Sequence, residues 1–77
     1  MVVAYVLVEA STGEADRIAA AMRAVDGVES VHVVAGDVDF VVRVRVDSPA
    51  AVRAAVVSAI TGIDGVENTR TYLAMDA

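Results

Sequence analysis

The sequence predicts an α+β fold: one four-stranded antiparallel sheet with two helices on one face, in the chain order βαββαβ. Three observations predict it. First, the chain repeats itself: Asp26-Gly27-Val28-Glu29 recurs as Asp64-Gly65-Val66-Glu67, 38 positions later. The same offset lays Val6-Leu7-Val8-Glu9 on Val44-Arg45-Val46-Asp47, Ile18 on Val56 and Met22 on Ile60. Second, each half switches from β-rich or alternating apolar residues to apolar residues at helical spacing, and back. Third, Asp-Gly, Gly-Asp and Ser-Pro pairs stand at those switches, where turns and helix ends need them.

The elements follow in order. Val2–Glu9 is β-rich and bounded by Ser11-Thr12-Gly13, so it reads as the first strand. Ser11 or Thr12 is placed to cap a helix over residues 14–25, with Ala15, Ile18, Ala19, Met22 and Val25 on one face. Asp26-Gly27 ends that helix, because glycine accepts positive φ. Glu29–Ala35 reads as the second strand, Gly36-Asp37 as a tight turn, and Val38–Val46 as the third strand, paired as an antiparallel hairpin. Asp47-Ser48-Pro49 starts the second helix with a polar cap and a proline at the first helical position. Val52, Val56, Ile60 and Ile63 form its apolar stripe, Asp64-Gly65 closes it, and Val66–Met75 is the last strand. Two right-handed βαβ-like halves arranged this way make a ferredoxin-like fold.

Length and composition limit how such a fold survives. A chain of 77 residues is a single domain, 1–77. A domain this small hides only about 60% of its unfolded surface and is marginal alone. It has no cysteine for disulfides, and its one histidine, His32, is too little for structural zinc. Hydrophobic residues make up 57% of the chain, so association with other chains is the expected source of further burial. Six arginines, no lysine and eleven acids give a net charge of -5, which repels phosphate backbones and anionic membranes alike. The uncharged run Met1–Val8 is too short to span a bilayer and follows no basic region, so a cytoplasmic protein is expected.

Strand parity then separates the two faces of the sheet. In the third strand Val38, Phe40, Val42, Val44 and Val46 alternate with Asp37, Asp39, Val41, Arg43 and Arg45. The all-apolar set should face the helices. Because the repeat offset is even, the open face collects Val3, Tyr5, Leu7, Ser30, His32, Val34, Val41, Asn68, Arg70 and Tyr72. An open face carrying Val3, Tyr5, Leu7, Val34, Val41 and Tyr72 is expected to pack on a second copy, with arginines at its rim.

The inventory for catalysis is poor. A cysteine nucleophile is impossible, and only His32, flanked by Val31 and Val33 in an alternating strand, offers an imidazole base. No phosphate-binding glycine loop is present. Asp37 and Asp39 are too few carboxylates for a closed calcium or magnesium site. No enzyme activity, metal or cofactor is therefore expected. An RNA-binding sheet would need stacking aromatics on its open face, where Tyr5 and Tyr72 are the only candidates and the charge is wrong.

Two local patterns carry a family resemblance. Gly36-Asp37-Val38-Asp39-Phe40-Val41-Val42 looks like a Gly-x-aromatic-Asp turn entering the third strand, with Val38 in place of the aromatic. Gly65-Val66-Glu67-Asn68-Thr69-Arg70-Thr71 is similar to a Gly-Val-x-x-Thr-x-Thr entry to the last strand. Together, and in this order, they resemble the effector-binding (RAM) domain of the Lrp/AsnC transcriptional regulators, here as a stand-alone member without the family's helix-turn-helix. The resemblance implies sheet-paired homodimers assembled into octamers or decamers, with an amino acid effector bound between dimers. It implies that Ala35, Gly36, Asp37, Val38, Asp39, Thr69 and Thr71 form that site. Asp39 would meet the ammonium and the backbone N–H groups of 35–37 the carboxylate. It also implies co-assembly with full-length Lrp/AsnC regulators and no direct contact with nucleic acid. Two alternatives share the topology: an ACT-type sensor, which usually pairs sheets side by side, and a small dimeric α/β-barrel enzyme, which keeps an enclosed pocket.

Overall fold

The computed structural model describes residues 1–11 and 13–76. Strands β1 (Val2–Ala10), β2 (Val28–Val33), β3 (Phe40–Val46) and β4 (Val66–Leu73) form one sheet in the order β2-β3-β1-β4, every neighbour antiparallel. Helix α1 (Ala15–Arg23) joins β1 to β2. Helix α2, spanning 49–61, joins β3 to β4 and has three parts: an α turn Pro49–Ala51, a π-helical segment Val52–Val57 and an α turn Ser58–Thr61. This is the expected ferredoxin-like βαββαβ arrangement.

The core lies between the helices and one face of the sheet. Ala4, Val6, Val8, Phe40, Val42 and Val44 are buried from the sheet side. Ile18, Ala19, Met22, Val52, Val56 and Ile60 meet them from the helices. Burying each of the larger side chains contributes about 1.5–3 kcal/mol. The parity expected for β3 holds, because pleating sends its even positions to the helices.

The repeat also shows in the packing. Gly27 (φ +95°) and Gly65 (φ +101°) end the two helix-turn units in backbone that only glycine adopts easily. A Cβ on Gly27 would lie 3.1 Å from Val56 of α2, and one on Gly65 would lie 3.0 Å from Ile18 of α1. Ile18 and Val56 are themselves 38 positions apart. Each half therefore seats its glycine turn against the other half's helix. Both turns lead into a β-bulge, one between Val28 and Ser30 and the other opposite Glu9/Ala10, where Asn68 and Val66 pair and Glu67 is skipped.

Several boundaries differ from expectation. The β2–β3 connection is a six-residue loop, 34–39, not a tight turn. It is clamped where Val34 N–H donates to Asp39 O and Asp39 N–H donates to Val8 O, both at 2.9 Å. Consequently β2 stops at Val33, β3 starts at Phe40, and Val38 is buried from within the loop. Strand β4 ends at Leu73, leaving Met75 exposed. Ser11 does not cap α1; its N–H donates to Gly65 O at 3.0 Å and ties β1 to the second glycine turn. Thr12, the other expected cap, lies outside the described residues. The cap of α2 is as expected: Ser48 Oγ accepts from Ala51 N–H at 3.2 Å, with Pro49 at the first helical position.

Candidate functional site

Three regions hold the residues singled out by the sequence. The first is the loop 34–39. Ala35, Gly36, Asp37 and Asp39 are exposed and Val38 is buried. Gly36 has φ +155° with open space around it, so the main chain there is accessible to a ligand. The Asp39 carboxylate is already oriented: Oδ2 accepts from Ala10 N–H at 2.8 Å. That bond ties the Asp39 side chain to the end of β1.

Thr69 and Thr71 do not join this loop. They pair with Val8 and Val6, whose side chains face the helices, so both threonines lie on the helix side of the sheet. There, with Leu73, they line a cleft of about 760 Å³ roofed by Pro49, Val52, Arg53, Ala54, Val57 and Ser58 of α2. The cleft lies along the edge strand β4, which α2 touches through its last turn, Ser58–Thr61, while the π segment forms the facing wall. In that segment Ser58 N–H donates to the Arg53 carbonyl, five residues back, which widens the helix at the cleft wall.

The third region is the open face of the sheet. Tyr5, Leu7 and Val41 are half-buried, and Tyr72 is 55% exposed. Two members of the expected patch sit differently. Val3 keeps its parity, paired with Arg45, but is already only 5% exposed within one chain. Val34 lies past the end of β2, in the loop. The patch is therefore Tyr5, Leu7, Val41 and Tyr72, smaller than expected. The arginines are held on this face. Glu29, brought to it by the bulge, contacts Arg43 Nε at 2.8 Å and Arg45 Nε at 2.9 Å. The Arg43 N–H is not aimed at that oxygen, so the contact is Coulombic and not a hydrogen bond. Arg43 also lies over the Tyr5 ring, 6.0 Å from its centroid. On β4, Arg70 and Asn68 both reach Glu9 Oε2, at 3.4 and 3.3 Å. These half-exposed pairs contribute less than ~1 kcal/mol each; their effect is to fix long side chains in place.

Among the described residues, no group of three or more His, Cys, Asp or Glu side chains converges as a metal site, and no helix is long and apolar enough to cross a membrane. His32 is exposed on β2 opposite Val41.

Residues 3–77 match the model of the Lrp/AsnC ligand-binding domain. The chain belongs to the Lrp/AsnC ligand-binding domain family. It is 29% identical over 76 residues to the leucine-responsive regulatory protein of Haemophilus influenzae, covering 99% of this chain and 46% of that protein. The chain thus spans about half the length of that curated relative. A crystal structure from Thermus thermophilus superposes with a TM-score of 0.91 at 30% identity, covering 100% of this chain and 96% of the other. The feast or famine regulatory protein of M. tuberculosis, solved in complex with L-methionine, gives a TM-score of 0.83 at 26% identity, covering 100% of this chain and 52% of that one.

For this Lrp/AsnC domain, the sequence singled out the loop, Thr69 and Thr71 as expected site residues, but not the helix residues that roof the cleft. Arg53, Ser58 and Pro49 were legible only as helix residues. The available signal was Arg53 itself, a lone charge between Val52 and Ala54 without an acid at i±3 or i±4 to pair with.

Proposed function

We propose that this domain is a non-catalytic, amino-acid-responsive assembly module. It pairs through its open sheet face, forms octamers or decamers in the cytoplasm, and acts through partner Lrp/AsnC regulators and not by touching DNA itself. The observation that carries this reading is the loop 34–39, an exposed glycine main chain beside a carboxylate held in place by Ala10 N–H. A zwitterion needs such a pair: an anion for its ammonium and close-set N–H groups for its carboxylate. The methionine complex of the M. tuberculosis relative supports an amino acid as the ligand class. The open face supports sheet pairing, since Tyr5, Leu7, Val41 and Tyr72 form an apolar strip bordered by fixed charges. Thr69 and Thr71, one strand beyond β1 and on the helix side, stand outside the loop within one chain and carry no part of this reading.

The test is native mass spectrometry with a panel of amino acids, L-methionine first, repeated on Asp39→Asn. Wild type is expected as dimers and multiples of dimers that take up ligand. Asp39→Asn is expected to keep the mass and lose affinity roughly tenfold, the value of one charge-assisted bond. A strictly monomeric wild type refutes the assembly, and undiminished affinity in the variant refutes the role of Asp39.

A further inference from the structure

The cleft between α2 and β4 has a chemistry different from the loop's. Its lining holds one guanidinium, Arg53, three hydroxyls, Ser58, Thr69 and Thr71, and apolar walls from Val52, Val57 and Leu73. Among the described residues, none that lines it is acidic. A free amino acid placed there would find a charged partner for its carboxylate but only neutral acceptors for its ammonium.

Arg53 stands apart from the other arginines. Arg17 binds Glu14 and the Asp64 carbonyl, and Arg23 donates to the Val31 carbonyl. Arg43 and Arg45 share Glu29, and Arg70 reaches Glu9. Among the described residues, Arg53 is the one arginine whose side chain has no partner. In a chain of net charge -5, an uncommitted cation at the mouth of a concave site is the place an anion would go. The π segment adds a second, independent mark. Such segments are rare and frequently found at functional sites, and here the segment carries Val52, Arg53 and Val57 to the cleft wall.

We propose that this cleft binds a small carboxylate that has an apolar tail and no ammonium group, such as a branched 2-oxo acid. Arg53 pairs with the carboxylate as a two-pronged donor. Thr69 and Thr71 donate hydroxyl hydrogen bonds to the carboxylate or an adjacent carbonyl oxygen. Val52, Val57 and Leu73 cover the tail. The domain then has two ligand sites of opposite preference: the loop takes the zwitterion, and the cleft takes its deaminated counterpart.

The test is titration of the whole chain with 4-methyl-2-oxopentanoate and, separately, with L-leucine, followed by backbone amide NMR and calorimetry. The oxo acid is expected to shift amides in 52–58 and 69–73, and to bind at least tenfold more tightly there than leucine. Arg53→Gln is expected to lower oxo-acid affinity tenfold or more with an unchanged melting temperature, because Arg53 is exposed and supports no other residue. Thr71→Val, also exposed, is expected to lower it severalfold. Asp39→Asn is expected to leave it unchanged, which separates this site from the loop. Absence of oxo-acid binding, shifts confined to 34–39, equal affinity for leucine in the cleft, or full affinity in Arg53→Gln would each overturn the proposal.

Discussion

Replacing Gly27 by alanine tests whether the exchanged glycine packing is what closes the fold. Two costs add. At φ +95° an L-residue sits in left-handed backbone, at about 1–2 kcal/mol. The new methyl would also lie 2.8 Å from Val46 Cγ1 and 3.1 Å from Val56 Cγ2. Both neighbours are β-branched, so neither can swing aside within its rotamer. Overpacking of this kind costs about 1–3 kcal/mol. The sum, roughly 2–5 kcal/mol, compares with a total stability of roughly 4–12 kcal/mol for a domain of this size, at ~0.05–0.15 kcal/mol per residue. Each kcal/mol shifts the melting temperature of a small domain by about 4–8 °C, so Gly27→Ala should melt at least about 8 °C below wild type. Gly65→Ala should lose less. Its backbone cost is alike at φ +101°, but its nearest atoms are the flexible ends of Ile18, at 3.0 Å, and Arg17, at 3.3 Å. Gly62→Ala should be neutral or stabilising, since Gly62 has φ -78° and meets nothing closer than 3.5 Å. The assay is thermal unfolding of all three at one fixed chain concentration, because self-association would couple stability to concentration. A Gly27→Ala melt within 3 °C (about 0.5 kcal/mol) of wild type would refute the reasoning. So would a Gly62→Ala loss as large as that of Gly27→Ala.

Three further outcomes are expected. Leu7→Asp puts a charge amid Tyr5, Val41 and Tyr72 and should dissociate the sheet-paired dimer; burying several hundred Å² at ~25 cal/mol per Å² contributes several kcal/mol before association costs, and light scattering showing unchanged mass would refute the pairing face. Ser48→Ala removes the cap bond to Ala51 N–H and should cost about 0.5–2 kcal/mol, read as a lower chemical-denaturation midpoint with an unchanged slope. The chain should bind no duplex DNA at physiological salt, given its net charge of -5; a salt-dependent mobility shift by the purified chain would contradict this.

The fold was legible because its signals are local and periodic. Phe40, Val42 and Val44 alternate as a half-buried strand must, Ser48-Pro49 announces a helix, and the 38-residue repeat orders the two halves. What stayed hidden depends on a one-residue change of phase. Glu29 follows Val28 as an ordinary strand residue would, and only the pairing of Val28 with Val44 and Ser30 with Arg43 reveals the bulge that sends it to the arginines. The π segment is hidden in the same way, since Val52, Val56 and Ile60 at intervals of four suit an α-helix as well. The candidate site was legible in part. Glycine and aspartate marked the loop, but its length was set by main-chain bonds from Val34 and to Val8, which side chains do not advertise. Arg53 was marked in the sequence only by its lack of an acid at i±3 or i±4, and its isolation became plain once every other arginine was seen to be engaged.

The exchange of glycine turns makes this chain behave as a dimer tied into one polypeptide. Gly27 is seated by Val56 and Gly65 by Ile18, so a fragment carrying one half would expose the socket meant for the other. The tether converts that association into an intramolecular one, at an effective concentration on the order of millimolar for a short flexible link. The link is the loop 34–39, and it is replaceable. Ala74 N–H donates to Val3 O at 2.9 Å, so the start of β1 and the end of β4 lie side by side. A circular permutant opened at Gly36 and joined across those ends would keep both sockets filled. It would carry the same core and the same cleft with the loop cut open, and so would detach ligand recognition at 34–39 from folding without altering a single buried side chain.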